Sequence, residues 1–573
     1  MKHDEVTLTI QWDRLVSIVD EIFLSLIRTS FSTIVREAYD LCCSVFDRQG
    51  LLLAQATQSA PSFLGTLPQT MQHFVKRFPP DTLHPGDVLI TNDPWIGTGH
   101  VYDVSVIRPV FRGDTLVAFT GTVTHLPDIG GLGFSAVARE IYEEGLRIPP
   151  MKLAEAGRLN ETLLLLIREN VRVPEQTLGD LHANIAANQT GARLIVELMD
   201  EYGLDSLDAV SAAICSRSEA AMRQELQRLP DGRYTHQFSI EGFDGAIPVA
   251  CTVEIRGDEV HIDFTGTGPT VPAGVNVPFC YTYAFCAYAI KCITTPTLPN
   301  NDGSFRPVHV TAPEGCILNA KPPAATGGRH AVGHFVPFAV WGALTPVVPE
   351  RLAAETGLMN AMNFSGQDLR GQPFSNICFS SGGFGARATK DGLHTTMGPS
   401  NVAVTSVEAL ESTTGVLVGR KELHTDSGGC GQFRGGLGQQ MTFQNRSAGP
   451  IVVACFGNRT SFPAAGYLGG QAGAPRDFRI EGQAVHPKGR HLLYPGAQVL
   501  MPGQTLSLLD AGGGGFGDPL ARRVEDVVAD VRAGYVSPEA ALRDYGVEVD
   551  TTLWIGKRLV TSAALQEGAG KEA

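Results

Sequence analysis

Two apolar runs, VSVIRPVF (104–111) and TLVAFTGTVT (115–124), stand on either side of Arg112-Gly113-Asp114. β-Branched and aromatic residues interrupted by a glycine-bearing turn dictate a β-hairpin. Antiparallel pairing about that turn sets residue 103 opposite roughly 123, and 101 opposite roughly 125. The chain entering the first strand and the chain leaving the second therefore meet at one end of the ladder. Those flanks read TNDPWIGTGHVYD (91–103) and THLPD (124–128), and they bring His100, Asp103, His125 and Asp128 together. Positions three apart in a regular strand face opposite sides, so His100 belongs to the turn, where Gly97 and Gly99 free the backbone. Two imidazoles with a carboxylate at one point suit a divalent cation such as Zn²⁺, Mn²⁺ or Fe²⁺. The plainer reading is a polar hairpin end with satisfied surface side chains, and the pattern alone leaves both open.

The rest of the chain sets the context for that hairpin. At 573 residues it exceeds one hydrophobic core and implies three or four structural units. Hydrophobic residues make up 43% and charged residues 18%, the balance of a folded globular protein. A net charge of −14 and a pI near 5.5 argue against nucleic acid or an anionic membrane surface as partner. The 64 glycines and 35 prolines imply many turns and much β structure. No export signal is legible in MKHDEVTLTIQWD, and the most apolar run, 279–290, is too short to span a bilayer. Eleven cysteines without a CxxC pair read as reduced, mostly buried thiols, which places the expected compartment in the cytoplasm.

Periodicity gives an α+β chain with a β-rich body and helices at the start, middle and end. Leu15, Ile18, Val19, Ile22, Phe23 and Leu26 mark a helix from about Trp12 to Thr29. Residues 41–55 read as two strands around a turn at 47–50, and 66–77 as a helix ended before Pro79. Asn160 caps a helix, Asp180 opens another that ends at Tyr202-Gly203, and a third runs from about Ser206 to Leu229. CTVEI-RGDE-VHIDF is a hairpin, and 281–293 a buried helix. From 305 to 510 short β-like runs such as IVVACF and QTLSLLD lie between glycines and prolines. Val524, Val527, Val528 and Val531 share one helical face, Ser537-Pro538 starts a last helix, and residues after about 560 form a polar tail. The expected units are an N-terminal metal-site region with a helical stretch (1–232), a β-rich region (233–510) and a C-terminal helical segment with tail (511–573).

No GxSxG or HExxH motif occurs, and neither glycine-rich stretch, HTDSGG (424–429) nor GGGGFG (512–517), matches a phosphate-binding loop. Both read as tight turns between strands. The chain therefore carries no ATP site of its own by motif.

Taken in order, several stretches have a common look: LIRTSFSTIVREAYDLCCSVFDRQGLLLAQ, GDVLITNDPWIGTGHVYDVSVIRPVF, THLPDIGG, REIYEEGLRIPPMKL, DFTGTGPTVPAGVN, APEGCILNAKPPAATGGR, HTDSGGCGQFRGGLG and GGGGFGDPLARRVEDVVADVRAGYVSPEAALRDYGV. The set resembles the hydantoinase B/oxoprolinase family nearly end to end. The resemblance implies one divalent metal, zinc first with manganese or iron as alternatives, held by Asp40, His100, Asp103 and His125. Asp40 enters by this route only, since nothing local ties it to residue 100. The resemblance also implies a proton-transfer role for Asp128 or Glu144. Many relatives carry a second histidine where this chain has Leu126. A hydantoinase A-type subunit that binds ATP is the implied partner, in an (αβ)2 hetero-oligomer, and a small cyclic amide the implied substrate. The expected activity is ATP-dependent opening of a hydantoin, 5-oxoproline or lactam ring. The alternatives are the corresponding subunit of an ATP-dependent ketone carboxylase, whose alpha subunits tend to be longer, and a non-catalytic scaffold for the ATPase.

Overall fold

The computed structural model describes residues 5–242, 245–485 and 497–559. The amphipathic N-terminal stretch forms α1 (Glu5–Thr29), followed by the single turn α2 (Thr33–Arg36). Next come β1 (Leu41–Asp47), β2 (Leu52–Gln55) and α3 (Ser62–Arg77), then β3 (Val88–Thr91), β4 (Asp103–Arg112), β5 (Thr115–His125), β6 (Met151–Glu155) and β7 (Arg158–Leu159). These seven strands make one antiparallel sheet in the order β2-β1-β5-β4-β3-β6-β7. The predicted hairpin is its centre.

Alternate residues on the sheet serve two different cores, as the pleat requires. Cys42, Phe46, Phe119 and Val123 pack with Phe63, Leu67 and Phe74 of α3 on one face. Cys43, Val45, Val104 and Val106 pack on the other with α1 and with α5 (Pro174–Glu201), which follows α4 (Glu161–Asn170). From α5, Asn184 Nδ2 donates to Thr124 Oγ1 at 2.9 Å and Asn188 Nδ2 to Thr122 Oγ1 at 2.8 Å. Two buried amides one helical turn apart thus fix the end of β5 that carries His125.

After α6 (Asp208–Leu226) comes a second sheet of β8 (Gly232–Ile240), β9 (Ile247–Arg256), β10 (Glu259–Asp263) and β11 (Val308–Thr311), with α7 (Phe279–Thr294) inserted before β11. The short helices α8 (His330–Gly333) and α9 (Val336–Leu344) follow. The described residues between 359 and 509 build two more sheets around their own core of Phe364, Phe443, Val453 and Leu508. A last cluster joins Val527, Val531, Ala541 and Tyr545. The mixed α+β class expected from periodicity is what the chain adopts. The expected boundary at 232/233 does not separate cores, because one cluster runs from Leu8 to Phe456.

Several local expectations need correction. The hairpin register is Asp103 opposite His125, two residues from the expected pairing. The turn is tighter, with Arg112 opposite Thr115, and a bulge at Val110/Phe111 shifts the ladder again. Asp180 lies inside α5, which starts at Pro174, a proline in the first turn; its carboxylate instead accepts from the backbone N–H groups of Phe31 and Ser32. The helix expected at 66–77 begins at Ser62 and carries Pro68 within it. Helices α8, α9 and 407–413 interrupt the region read as β-like runs. The polar tail lies outside the described residues.

Of the glycine-rich stretches, HTDSGG holds the expected turn at Thr425-Asp426, with Ser427 N–H donating to His424 O at 3.3 Å, while the glycines themselves pack backbone against backbone. Segments 382–386, 427–438, 466–474 and 511–517 lie side by side and exchange backbone hydrogen bonds: Gly383 N–H to Ala511 O, Gly429 N–H to Gly513 O, Gly513 N–H to Gly436 O, and Gly515 N–H to Gln471 O, all 2.8–2.9 Å. A Cβ at Gly513 would overlap the carbonyl of Phe384. Glycine is required there for close approach of backbones.

Candidate metal centre

β4 begins at Asp103, which faces His125 at the last position of β5. Gly99, at φ +97°, turns the chain so that His100 falls back over the strand ends. His100 Nε2 lies 2.8 Å from Asp103 Oδ1, and the rings of His100 and His125 are 5.1 Å apart. The three residues are buried, and their ligating atoms lie within 4.8 Å of one another.

The other ring nitrogens are committed. His100 Nδ1 meets Gly327 O at 2.8 Å and His125 Nδ1 meets Leu126 O at 2.8 Å. A carbonyl can only accept, so each Nδ1 carries the proton and each Nε2 presents a lone pair inward. With Nδ1 protonated, the 2.8 Å approach of His100 Nε2 to Asp103 Oδ1 sets two acceptors face to face, and neither of them nor His125 Nε2 has a hydrogen-bond partner. Burial, with Arg329 nearby, lowers the pKa of His100; burial and then His100 pull that of His125 down to about 3. Both rings are neutral at neutral pH, as a metal ligand must be.

Asp40 reaches the same cavity from the other side. Its carbonyl accepts from His125 N–H at 3.1 Å, one strand over, and its side chain lines the cavity. Burial and then the Asp103 charge push its carboxyl well above the usual carboxylate range. Asp103 goes the other way: burial raises it, but His100 and Arg329 outweigh that and hold it low. Among the described residues, the one permanent cation lining the cavity is Arg329, whose Nη2 stands 2.5 Å from Asp103 Oδ2 and whose Nε donates to Thr98 O at 2.7 Å. Arg329 balances Asp103, burial keeps Asp40 protonated near neutral pH, and three buried acceptors have no donor. The residues present thus fit a small cation. The cavity measures about 30 Å³, room for an ion and a water or two.

Of the six residues singled out from sequence, His100, Asp103 and His125 come together as one set, and Asp40 lines the same cavity. Asp128 and Glu144 do not line it. Asp128 is buried with Oδ1 2.8 Å from Arg172 Nη1 and 3.1 Å from Gly130 N, and Oδ2 accepts from the backbone of Arg172. The expected convergence of four groups at the hairpin end is therefore one of three. Residues beyond Pro127 turn Asp128 toward α5's approach instead. Glu144 accepts from the backbone N–H groups of Thr326 (2.7 Å) and Gly327 (2.6 Å). It therefore anchors the loop whose Gly327 carbonyl holds His100. Burial raises its carboxyl to about 7 against the pull of those two bonds.

Sequence reasoning missed Arg329, His330 and His334, which also line the cavity. His334 Nε2 is 3.2 Å from Tyr281 Oη, Arg329 stacks 4.3 Å from the Tyr281 ring, and Phe134 stacks on His330. A Cβ at Gly99 would come within 2.7 Å of the Arg329 side chain, so that glycine also admits the arginine. The only signal was local, three basic or imidazole groups in GGRHAVGH (327–334). More than two hundred residues separate it from the hairpin, so spacing could not connect them.

The pattern of the hydantoinase B/oxoprolinase family matches residues 4–519. The chain belongs to that family. It is 33% identical to the beta subunit of the caprolactamase of Pseudomonas jessenii and 30% identical to a putative D-/L-hydantoinase B subunit of Pseudomonas sp. (strain NS671), each over 96% of both chains. It is 31% identical to 5-oxoprolinase 1 of Arabidopsis thaliana over 90% of this chain and 42% of that one. The crystal structure of the ATP-dependent caprolactamase from Pseudomonas jessenii superposes with a TM-score of 0.88 at 31% identity, over 99% of this chain and 100% of that one. A nucleotide-free acetone carboxylase has the same TM-score, 0.88, at 19% identity, over 100% of this chain and 84% of that one, a likeness of fold. The relatives named as subunits are parts of larger assemblies. No helix among the described residues is long and apolar enough to cross a membrane.

Proposed function

We propose that this member of the hydantoinase B/oxoprolinase family is the metal-binding component of an ATP-dependent cyclic amidase. It works with a separate hydantoinase A-type subunit that binds ATP. The observation that carries the reading is the buried set His100, Asp103 and His125, with both Nε2 lone pairs facing inward and no donor to meet them. Three of the relatives at 30% identity and above are named for hydantoins, caprolactam and 5-oxoproline, all ring amides.

An amide resists attack because its nitrogen shares density with the carbonyl, and transfer of a phosphoryl group from ATP to the amide oxygen makes that oxygen a leaving group. A divalent ion, zinc first, would be held by His100, His125, Asp103 and Asp40, and when bound it supplies Lewis acidity and an acidified water. The protein's own groups do the rest. The Gly327 and Leu126 carbonyls keep both imidazoles in the Nδ1–H tautomer. Arg329 balances Asp103 and places positive charge where anionic oxygen develops. Phe134 and Tyr281 wall the cavity against bulk water, which strengthens every charge interaction inside it. A scaffold role would leave this buried, unpaired set without a purpose.

The test is a substrate screen with the purified two-chain complex, following ATP hydrolysis, with hydantoins, 5-oxoproline, lactams and ketones offered with and without bicarbonate. Ring-dependent ATP hydrolysis with ring-opened product supports the amidase. Turnover of a ketone that requires bicarbonate, with no ring opened, overturns it.

A further inference from the structure

We propose that a chamber adjoining the metal cavity takes the substrate by a carboxylate that Lys291 recognises, so that the ring amide opened here bears an acid group. The proposal rests on the cyclic-amidase reading and narrows its substrate.

The chamber encloses about 270 Å³ and is lined by Lys291, Tyr288, Gln55, Ser59, Asn300 and Asn401 among others. It shares a wall with the metal cavity. Ala60 lines both; Ser62 and Phe63 line the metal cavity while Pro61 and Leu64 line the chamber. On the opposite strand of wall, Ser400 and Val402 line the cavity and Asn401, at φ +59°, lines the chamber. The metal cavity has room for an ion and water only, so a ring must lie on the chamber side and present its amide edge past Ala60.

The polar groups of the chamber are incomplete. Lys291, in the last turn of α7, is buried, and its Nζ makes one hydrogen bond, to Thr295 O at 3.1 Å. An ammonium has three protons to donate. Among the described residues, no carboxylate stands within ion-pair distance of it. The nearest ionisable neighbour, Cys292, is a thiol whose pKa burial raises to about 11 and which is therefore neutral. Burial pulls Lys291 down to about 8, the mark of a cation without its counterion. Asn300 Oδ1 is also buried and without a partner, and Ser59 Oγ meets only the Cys42 thiol, a weak acceptor; Asn300 Nδ2 is taken by Gln55 Oε1 at 3.2 Å. The chamber therefore offers a cationic donor and a hydroxyl donor for a carboxylate, and one amide oxygen to accept a ring N–H. That inventory complements an α-amido acid in cyclic form, such as 5-oxoproline, better than a plain lactam. Capping of the α7 C-terminus accounts for one of the three Nζ protons and leaves the rest of the inventory unexplained.

The experiment compares 5-oxoproline with 2-pyrrolidinone, the same ring without the acid, using the complex with its ATP-binding partner. In Lys291→Met the KM for 5-oxoproline should rise about tenfold to a hundredfold, the value of a charge-assisted hydrogen bond, with kcat and the KM for 2-pyrrolidinone little changed. Calorimetric binding of each ring without ATP gives the same contrast independently of turnover, and Ser59→Ala, a milder change, should weaken 5-oxoproline alone. Equal effects on both rings, or a wild-type preference for 2-pyrrolidinone, overturn the proposal. So does displacement from the chamber by inorganic phosphate and not by 5-oxoproline. A wild-type complex that binds 5-oxoproline through Lys291 but opens no ring defeats the amidase reading and leaves the chamber assignment standing.

Discussion

Two sets of two histidines and a carboxylate exist among the described residues, and they behave differently. His100, Asp103 and His125 sit at the centre of the first sheet, with the first two 1% exposed. Glu259, His261 and His309 sit on β10 and β11 at the edge of the second, with side chains 38%, 40% and 44% exposed. The outer set is close simply because parallel register puts His261 beside His309, with stacked rings 4.6 Å apart. Its imidazole nitrogens stand 3.8 and 3.5 Å from Glu259, whose other oxygen pairs with Arg223 at 3.2 Å. Water satisfies whatever is left over. In the inner set no water-facing surface exists, both Nδ1 atoms are tied to carbonyls, and each unpaired acceptor costs about 1–3 kcal/mol. Proximity is cheap on a sheet; a buried unpaired set is costly, which is why the inner set and not the outer one carries the proposed metal site.

Asp103→Ala should separate the sets most sharply. It removes the carboxylate that the Arg329 guanidinium, 5% exposed, pairs with directly and leaves only Asp40 in the cavity to face it; breaking a buried pair costs about 3–5 kcal/mol. Glu259→Ala, on a solvated face, should leave the melting temperature close to that of the wild type. Thermal melting of the two variants compares them, and equal melting temperatures would erase the distinction.

A smaller effect is expected at Asp128. Its oxygens serve Arg172 and Gly130, so Asp128→Asn should cost about 1–3 kcal/mol while metal content and turnover per folded chain hold. Turnover falling by roughly 10²–10⁴-fold with metal and melting intact would return it to proton transfer.

Glu144 sharpens the comparison through pH. Its folded pKa, about 7, exceeds the ordinary 4.5, so its contribution to stability is fully present below 4.5 and lost as pH rises through about 7. Glu144→Gln, always neutral, should melt with less dependence on pH across that window than the wild type. The outer Glu259 is shifted downward, chiefly by its hydrogen bond to Arg223, and Glu259→Gln should show no such flattening. Identical pH profiles for Glu144→Gln and wild type would mean that the buried carboxyl does not titrate there. The least effect of all belongs to His309→Ala, within about 0.5 kcal/mol in melting.

The difference between the sets also explains what the sequence could say. The hairpin was legible because alternation and a glycine turn are local, and its two ends had to meet whichever register formed. The register itself was not, because a bulge at Val110/Phe111 leaves no mark on alternation. Asp128 looked equivalent to His125 because three residues are too few to show which way the chain turns after Pro127. Glu144 drew attention as an acid, yet its partners are backbone N–H groups at 326 and 327 that no side-chain pattern encodes. Arg329, His330, His334 and Lys291 reach the two cavities from helices and loops far along the chain, so only tertiary packing reveals them. The glycine stretches were read as turns because composition cannot distinguish a glycine that bends from one that lets backbones touch.

Elemental analysis of the purified chain, wild type beside His125→Ala and His309→Ala, decides whether the buried set holds a metal. About one divalent ion per chain is expected in the wild type and in His309→Ala, with loss of most of it in His125→Ala together with a lower melting temperature. Full metal content in His125→Ala, or metal that disappears with His309 instead, would contradict it.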